Sequence, residues 1–156
     1  MAIAATLKQY LSDQGVDYDA VAHPHTGGSL ETAEAAHVSG EDIAKAIVLK
    51  DEDGYLVAVL PATYKLQLGA LREILGRRLE MADEKELAGL FTDCEPGAVP
   101  PVASAYGLKA IWDENLARLE DVYFEGGDHS YLIRVSGEAF AKLMAHADRG
   151  VFSHHM

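Results

Sequence analysis

The sequence predicts a single α+β domain, in which a mixed, largely antiparallel sheet curls toward a barrel and is flanked by helices. Three observations support this class. Of the 156 residues, 49% are hydrophobic, which suffices for one core. Short β-rich segments are joined by tight turns, as in hairpins. Segments with helical periodicity cluster at the start, middle and end of the chain. We expect the domain to span 1–150 and a frayed tail to span 151–156.

The N-terminal part of the chain predicts a helix, a strand and a second helix. The first helix follows from apolar residues at helical spacing, namely Ile3, Leu7, Tyr10 and Leu11. Gly15 is well placed to end this helix. A strand is expected over 16–23, and the next residues to 28 form a loop because proline and paired glycines break both regular periods. Ser29 can cap a second helix over 30–37.

A β-hairpin is the clearest local signal. The segments 43–50 and 55–61 are β-rich, and they flank the turn Asp51, Glu52, Asp53 and Gly54. The Asp-Gly pair supplies the positive φ that a tight turn requires. We therefore predict that the two segments pair in antiparallel fashion.

The second half of the chain predicts further strands and helices. In order, they are a helix over 66–75, a strand over 78–81, a helix over 84–90, strands over 109–112, 121–125 and 131–135, and a helix over 137–146. Asp83 and Glu86 form a capping box before the second of these helices. Ser136 can cap the last helix. The proline-rich stretch 92–101 suits neither regular structure, and 126–129 is predicted as a turn.

Composition argues against several functions. A net charge of −12 disfavours binding to a DNA duplex, although a small site for one end of a nucleic acid is compatible with it. No apolar run reaches membrane-spanning length, and the N-terminus lacks an export signal. The single cysteine, Cys94, suits a reducing cytoplasm. We expect a cytoplasmic protein without membrane association, and a monomer because no hydrophobic patch is evident.

Lys45 is the most informative single residue. In a strand it shares one face with Ile43, Ile47 and Leu49, because successive side chains alternate. Burying an ammonium among branched apolar residues without a partner is costly. Lys45 either protects an edge strand against aggregation or binds an anionic or polar ligand. The residues alone leave both interpretations open.

Other constellations give weaker signals. Cys94 lacks the context of a nucleophile, and a lone cysteine is more often a packing residue. The candidates for a metal site are three histidines, namely His23, His25 and His37. No His-Glu-x-x-His motif or cysteine pair supports such a site. The glycine pairs at 27–28 and 126–127 are not followed by Gly-Lys-Ser/Thr, so they indicate turns rather than phosphate loops.

The segment 97–101 predicts a stiff loop. Gly97 lets a ligand approach the backbone closely. Pro100 and Pro101 fix their φ angles and lack N–H groups, so the loop presents carbonyls. Such carbonyls can orient a water or a hydroxyl. A rigid connector is the alternative, and the residues of this segment alone favour the connector.

Four segments together resemble the YbaK/prolyl-tRNA-synthetase-associated domain family of trans-acting aminoacyl-tRNA deacylases. In order, they are 32–36, 43–49, the G-x-x-x-P loop 97–101 and 126–130. Their order and spacing cover nearly the whole chain. Many relatives continue the loop with an aromatic residue and then glycine, whereas Val102 and Ala103 follow here. The identity of the edited amino acid is therefore not carried over.

The resemblance implies the family's fold and hydrolysis of the ester bond in mischarged aminoacyl-tRNA, without a metal or another cofactor. It implies that Lys45 and Gly97 are catalytic, with the lysine orienting or stabilising the substrate and the loop positioning water or a ribose hydroxyl. Candidates for binding the substrate are Ala46, Ala62, Val99, Pro100, Pro101, Gly127 and His129. The expected partner is the acceptor end of a mischarged tRNA, delivered by a synthetase or an elongation factor. A non-catalytic module that binds a tRNA acceptor end or a nucleotide is the alternative.

Overall fold

The computed structural model describes residues 3–24 and 29–156, and these form an α+β domain. Its helices are α1 (Ala5–Asp13), α2 (Ser29–Ala36), α3 (Leu68–Leu75), α4 (Glu84–Leu90) and α5 (Gly137–Leu143). Its strands are β1 (Asp19–Ala22), β2 (Ala44–Asp51), β3 (Gly54–Pro61), β4 (Tyr64–Leu66), β5 (Glu80–Met81), β6 (Lys109–Asp113), β7 (Asp121–Glu125), β8 (Tyr131–Ser136), β9 (Asp148–Gly150) and β10 (Ser153–His155). None of the helices within these ranges is long and apolar enough to cross a membrane.

The strands form three open sheets. The largest has the order β5-β2-β3-β6-β9, a second has the order β1-β8-β7, and β4 pairs with β10. The pairs β3–β6 and β6–β9 are parallel, and the other pairs are antiparallel. A parallel bridge between Ile43 and Tyr123 joins the two larger sheets. The prediction of a mixed α+β fold is confirmed, but the sheet, over the described residues, is not closed into a barrel.

Local sequence signals set several elements. The β2–β3 hairpin closes with Asp51 opposite Gly54, as the Asp-Gly turn predicts. Asp83 and Glu86 make both hydrogen bonds of the capping box before α4. The Ser136 side chain accepts a hydrogen bond from the Ala139 N–H at 3.1 Å and caps α5. The cap predicted at Ser29 and the loop at 25–28 fall outside what the structure describes.

The core divides around the β2–β3 hairpin. One face of the hairpin carries the largest cluster, which includes Val48, Val57 and Trp112. The opposite face packs Leu49 and Leu60 into a second cluster. A third and smaller one, termed here the small cluster, lies against α2 and consists of Ala33, Ile43, Ala62 and Leu132. The small cluster provides the apolar base of the site described below.

Several predictions about the ends of elements were wrong, and two of these errors concern β4 and β10. The helix expected over 66–75 begins at Leu68, because 64–66 is the strand β4. The tail expected to be frayed contains β10, which pairs with β4. Phe152 is fully buried, and the Asp113 carboxylate accepts hydrogen bonds from the Phe152 N–H at 3.1 Å and the Ser153 hydroxyl at 2.8 Å. These contacts hold the segment against the core.

Candidate active site

Lys45 lies on the predicted face of β2, opposite Leu60 of β3. Its Nζ donates a hydrogen bond to the carbonyl oxygen of Ala62 at 3.2 Å. Burial lowers the pKa of the Lys45 ammonium below its ordinary value. No carboxylate among the residues described forms an ion pair with it. Because an ammonium has three N–H donors, Lys45 keeps donors and a positive charge available for a ligand.

Strand register places Lys45 on the same face as Glu125. The bridge between Ile43 and Tyr123 shows that these two residues share a face. Side chains alternate along a strand, so the residues two positions further along β2 and β7 share it as well. These residues are Lys45 and Glu125. Lys45 lies on β2 and Glu125 on β7, each two residues after the bridge that joins the two larger sheets.

The neighbouring strands β1 and β8 add polar groups to the same place. The N–H of His23 donates to the carbonyl oxygen of Ser130 at 2.9 Å, which extends the register that pairs Val21 with Leu132. Val21 and Leu132 both pack in the small cluster, so His23 and Ser130 share its face. We call the set Lys45, Glu125, Ser130 and His23 the polar edge.

The turn between β7 and β8 concentrates buried ionisable side chains. Glu125, Asp128 and His129 are 5%, 8% and 6% exposed. The Glu125 Oε2 lies 3.9 Å from the His129 Nδ1, and Asp128 Oδ1 accepts a hydrogen bond from the Ser130 N–H at 2.9 Å. His129 has a φ of +60°, which is a left-handed conformation that few residues other than glycine adopt. The surrounding structure therefore holds this turn in a specific shape.

The segment that leads into loop 97–101 is hydrogen-bonded to this turn. The Glu95 N–H donates to the carbonyl oxygen of Gly127 at 2.7 Å. Gly127 has a φ of +114°, and a Cβ there would lie 2.9 Å from the Ala4 Cβ, so only glycine fits. Val99 packs into the largest cluster, on the other face of β2 from Lys45. The loop is thus connected to the polar edge by the turn and not by direct packing on the lysine.

The structure brings together some of the predicted site residues and separates others. Lys45 contacts Ala62, while Gly127 and His129 both lie in the turn beside Glu125. Ala46 points to the opposite face of β2 and packs, like Val99, with the largest cluster. Gly97 is exposed at the start of the loop, whereas Pro100 and Pro101 are buried.

Sequence reasoning missed two carboxylates in this region, Glu125 and Asp128, and considered His23 only as a metal ligand. The available signal for Glu125 was its position at the end of an otherwise apolar strand, two residues after Tyr123. A charged residue at an inward position of a strand is costly to bury unless it has a function or a partner. That reasoning was applied to Lys45 and applies equally to Glu125.

Two alternative chemistries receive little support. Burial raises the pKa of the Cys94 thiol to about 12, and the sulfur lies 3.2 Å from the Tyr106 hydroxyl. The nucleophilic thiolate is therefore scarce at neutral pH. In the ranges 3–24 and 29–156, no group of three or more His, Cys, Asp or Glu residues is arranged to hold a metal. His25 falls outside those ranges, so the three-histidine hypothesis stays a prediction.

A separate cleft lies at the tip of the β2–β3 hairpin. It has a volume of about 700 Å³ and is lined mainly by charged side chains. The Arg77 Nε donates to the Asp51 carboxylate at 2.6 Å within it, and the guanidinium lowers the pKa of Asp51 to about 2. Because Arg77 and Asp51 already form an ion pair with each other, this cleft is a weaker candidate for a ligand site than the polar edge.

Comparisons with known proteins identify the family of the chain. The profile of a family described as the aminoacyl-tRNA editing domain matches residues 23–143, a range that contains the whole polar edge. No curated protein matches the sequence significantly.

Solved structures share the fold. A candidate trans-editing enzyme for prolyl-tRNA synthetase is 25% identical with a TM-score of 0.85, and the match covers 97% of this chain and 96% of that one. A scaffold protein used to present grafted linear epitopes is 26% identical with a TM-score of 0.85, and the match covers 97% of both chains. A candidate signal-transduction protein from Marinobacter aquaeolei VT8 is 23% identical with a TM-score of 0.79, and the match covers 97% of this chain and 31% of that one.

Proposed function

The chain belongs to the aminoacyl-tRNA editing domain family, and on that basis we propose that it hydrolyses the ester bond of mischarged aminoacyl-tRNA. In this proposal it acts in trans, on the acceptor end of a tRNA charged by a synthetase. The structural likeness to a candidate trans-editing enzyme for prolyl-tRNA synthetase supports the same activity. No metal or other cofactor is needed for this reaction.

The state of Lys45 is the observation that carries the proposal. Its ammonium is half-buried and is held by the neutral Ala62 carbonyl rather than by a carboxylate. A charge in this position is screened less by water than one on the open surface, so it interacts more strongly with a negative ligand. The acceptor end supplies two such groups, the terminal phosphate and the ester oxygen on which charge develops. Lys45 orients the phosphate or stabilises that oxygen.

The remaining chemistry requires positioning rather than a nucleophilic side chain. An aminoacyl ester is already activated, so orientation and charge stabilisation suffice for its hydrolysis. A water molecule, aligned by the carbonyls of loop 97–101 or by a ribose hydroxyl of the substrate, adds to the ester carbonyl carbon. The ester C–O bond then breaks, and the departing ribose oxygen takes up the proton that the attacking water has released. The products are the free amino acid and the uncharged tRNA.

The acidity of the chain constrains how the substrate arrives. With a net charge of −12, the surface repels a long polyanion, and few phosphates can be neutralised. We propose that the protein, as a monomer in the cytoplasm, receives the tRNA from a synthetase or an elongation factor. Only the acceptor end then needs to enter the site.

The experiment that tests the proposed function is a deacylation assay with tRNAs mischarged with alanine, cysteine, serine and threonine. We expect the wild type to release at least one of these amino acids, and Lys45→Ala to reduce that release about a hundredfold or more. Lys65→Ala, which removes an exposed lysine from β4, serves as the matched control and should keep wild-type activity. Saturable binding of the acceptor end without any hydrolysis would instead indicate a binding module.

A further inference from the structure

Two buried acceptor atoms, one in the polar edge and one in the adjoining turn between β7 and β8, lack hydrogen-bond partners within the described part of the chain. They are the Nε2 of His23 and the Oδ2 of Asp128. Each side chain is only 8% exposed. Buried polar atoms are nearly always hydrogen-bonded, and an unsatisfied one calls for an explanation such as a bound ligand. Neither atom has a role in the mechanism described above.

The hydrogen bonds that these two residues do make show what kind of partner is missing. The His23 Nδ1 lies 2.8 Å from the carbonyl oxygen of Pro24, which can only accept. The proton of the neutral ring is therefore on Nδ1, and Nε2 presents a lone pair. Asp128 Oδ1 accepts the Ser130 N–H, and the second oxygen of a carboxylate, Oδ2, is an acceptor as well. The missing group must donate hydrogen bonds.

The two acceptors flank the same residue. The His23 N–H binds the carbonyl oxygen of Ser130 at 2.9 Å, and the Ser130 N–H binds Asp128 at 2.9 Å. The acidic side chain of Glu125 lies on the same sheet face, so this end of the site is rich in acidic groups. Lys45 supplies positive charge from β2. A ligand that spans both ends should be cationic where it meets His23 and Asp128, and anionic or electron-rich where it meets Lys45.

We propose that His23 and Asp128 bind the α-ammonium group of the aminoacyl moiety. This inference rests on the proposed function, because it assigns one end of the same substrate. The α-ammonium belongs to every aminoacyl ester and carries three N–H donors. Lys45 repels it, whereas the Asp128 carboxylate attracts it and pairs one of its donors by a charge-assisted hydrogen bond. The pair thus distinguishes an aminoacyl ester from an ester without an amino group.

The test uses two ligands that resist hydrolysis and differ in one group. They are 3′-alanylamino-3′-deoxyadenosine, with an ammonium, and 3′-lactylamino-3′-deoxyadenosine, with a hydroxyl in its place. NMR titration gives the Kd of each ligand for the wild type, Asp128→Asn and His23→Asn. Asparagine at 128 keeps an acceptor for the Ser130 N–H, and asparagine at 23 keeps a donor for the Pro24 carbonyl. Glu138→Gln removes an equal charge from an exposed position on α5 and is the control.

We expect the wild type and Glu138→Gln to bind the alanyl ligand at least about 10-fold more tightly than the lactyl ligand. Asp128→Asn and His23→Asn should each weaken binding of the alanyl ligand and change the Kd of the lactyl ligand by no more than about twofold. The unchanged Kd of the lactyl ligand also shows that the variant is folded. The inference would be overturned if the wild type bound both ligands with equal affinity, if the variants lost affinity for both ligands to the same extent, or if neither ligand bound. If the wild type deacylates mischarged tRNA yet shows no preference, the proposed function stands and only this assignment fails.

Discussion

Replacing Asp113 by asparagine should destabilise the protein and release its C-terminal strand. Asp113 is fully buried. Its Oδ2 accepts the Phe152 N–H at 3.1 Å and the Ser153 hydroxyl at 2.8 Å, and its Oδ1 accepts the Asn115 N–H at 2.9 Å. In Asp113→Asn, Oδ1 remains an acceptor, but an NH₂ group that cannot accept replaces Oδ2.

The magnitude follows from the bonds that are lost. A hydrogen bond to a charged group contributes about 1.5–3 kcal/mol, and a buried donor left without a partner costs about 1–3 kcal/mol. The two contributions describe partly the same broken bonds and are not added, so we expect a loss of about 3 kcal/mol in the free energy of unfolding. For a domain of this size each 1 kcal/mol shifts the Tm by roughly 2–4 °C, so the Tm should fall by about 6–12 °C.

Thermal unfolding followed by circular dichroism measures this shift. Ser153→Ala is the matched control, because it deletes one donor and leaves the Phe152 N–H satisfied, and it should cost only about 1 kcal/mol. A Tm for Asp113→Asn within about 2 °C of the wild type would refute the reasoning. The same variant should also lose deacylase activity, because the Met156 N–H binds the Thr63 carbonyl at 3.0 Å, next to the Ala62 that holds Lys45.

Three further predictions concern packing, thiol chemistry and tRNA binding. Gly137→Ala should destabilise the protein by about 3 kcal/mol, because the added Cβ would overlap the Leu119 carbonyl oxygen. Gly89→Ala in α4 should instead stabilise it by about 0.5–1 kcal/mol, because a Cβ at that position has no other atom within 4 Å. A denaturant titration that finds Gly137→Ala more stable than Gly89→Ala would contradict this. Alkylation of Cys94 by iodoacetamide at pH 8 should be at least about a hundredfold slower than that of a free thiol, because its pKa of about 12 lies far above the pH; a rate equal to that of glutathione would show that the thiol is not buried. Uncharged tRNA should bind weakly and lose affinity steeply as salt is raised, and nanomolar binding at physiological salt in a filter-binding assay would contradict the role assigned to the acidic surface.

Elements specified by local chemistry were predictable from the sequence. The Asp-Gly turn set the register of the β2–β3 hairpin, and Asp83 with Glu86 fixed the start of α4. Alternation along β2 placed Lys45 on the correct face. In each case a few adjacent residues contain the whole signal, because hydrogen bonds within the turn or the first helical turn decide the conformation.

Elements specified by distant partners were not predictable. The strands β4 and β10 have three residues each, too few to show a period, and each exists because the other pairs with it across a long stretch of chain. The carboxylate of Asp113 holds β10 from 40 residues away. The polar edge has the same origin, because only the bridge between Ile43 and Tyr123 reveals that Lys45 and Glu125 share a face. No single segment contains that information.

The stronger of the two roles proposed for Lys45 is that its charge stabilises the ester oxygen during hydrolysis. Single-turnover deacylation of the best mischarged tRNA, with enzyme in saturating excess, tests this claim most directly because it separates chemistry from binding. We expect Lys45→Met to lower the single-turnover rate about a hundredfold or more, and Lys65→Met to retain the wild-type rate. An unchanged rate for Lys45→Met at saturation would contradict the claim.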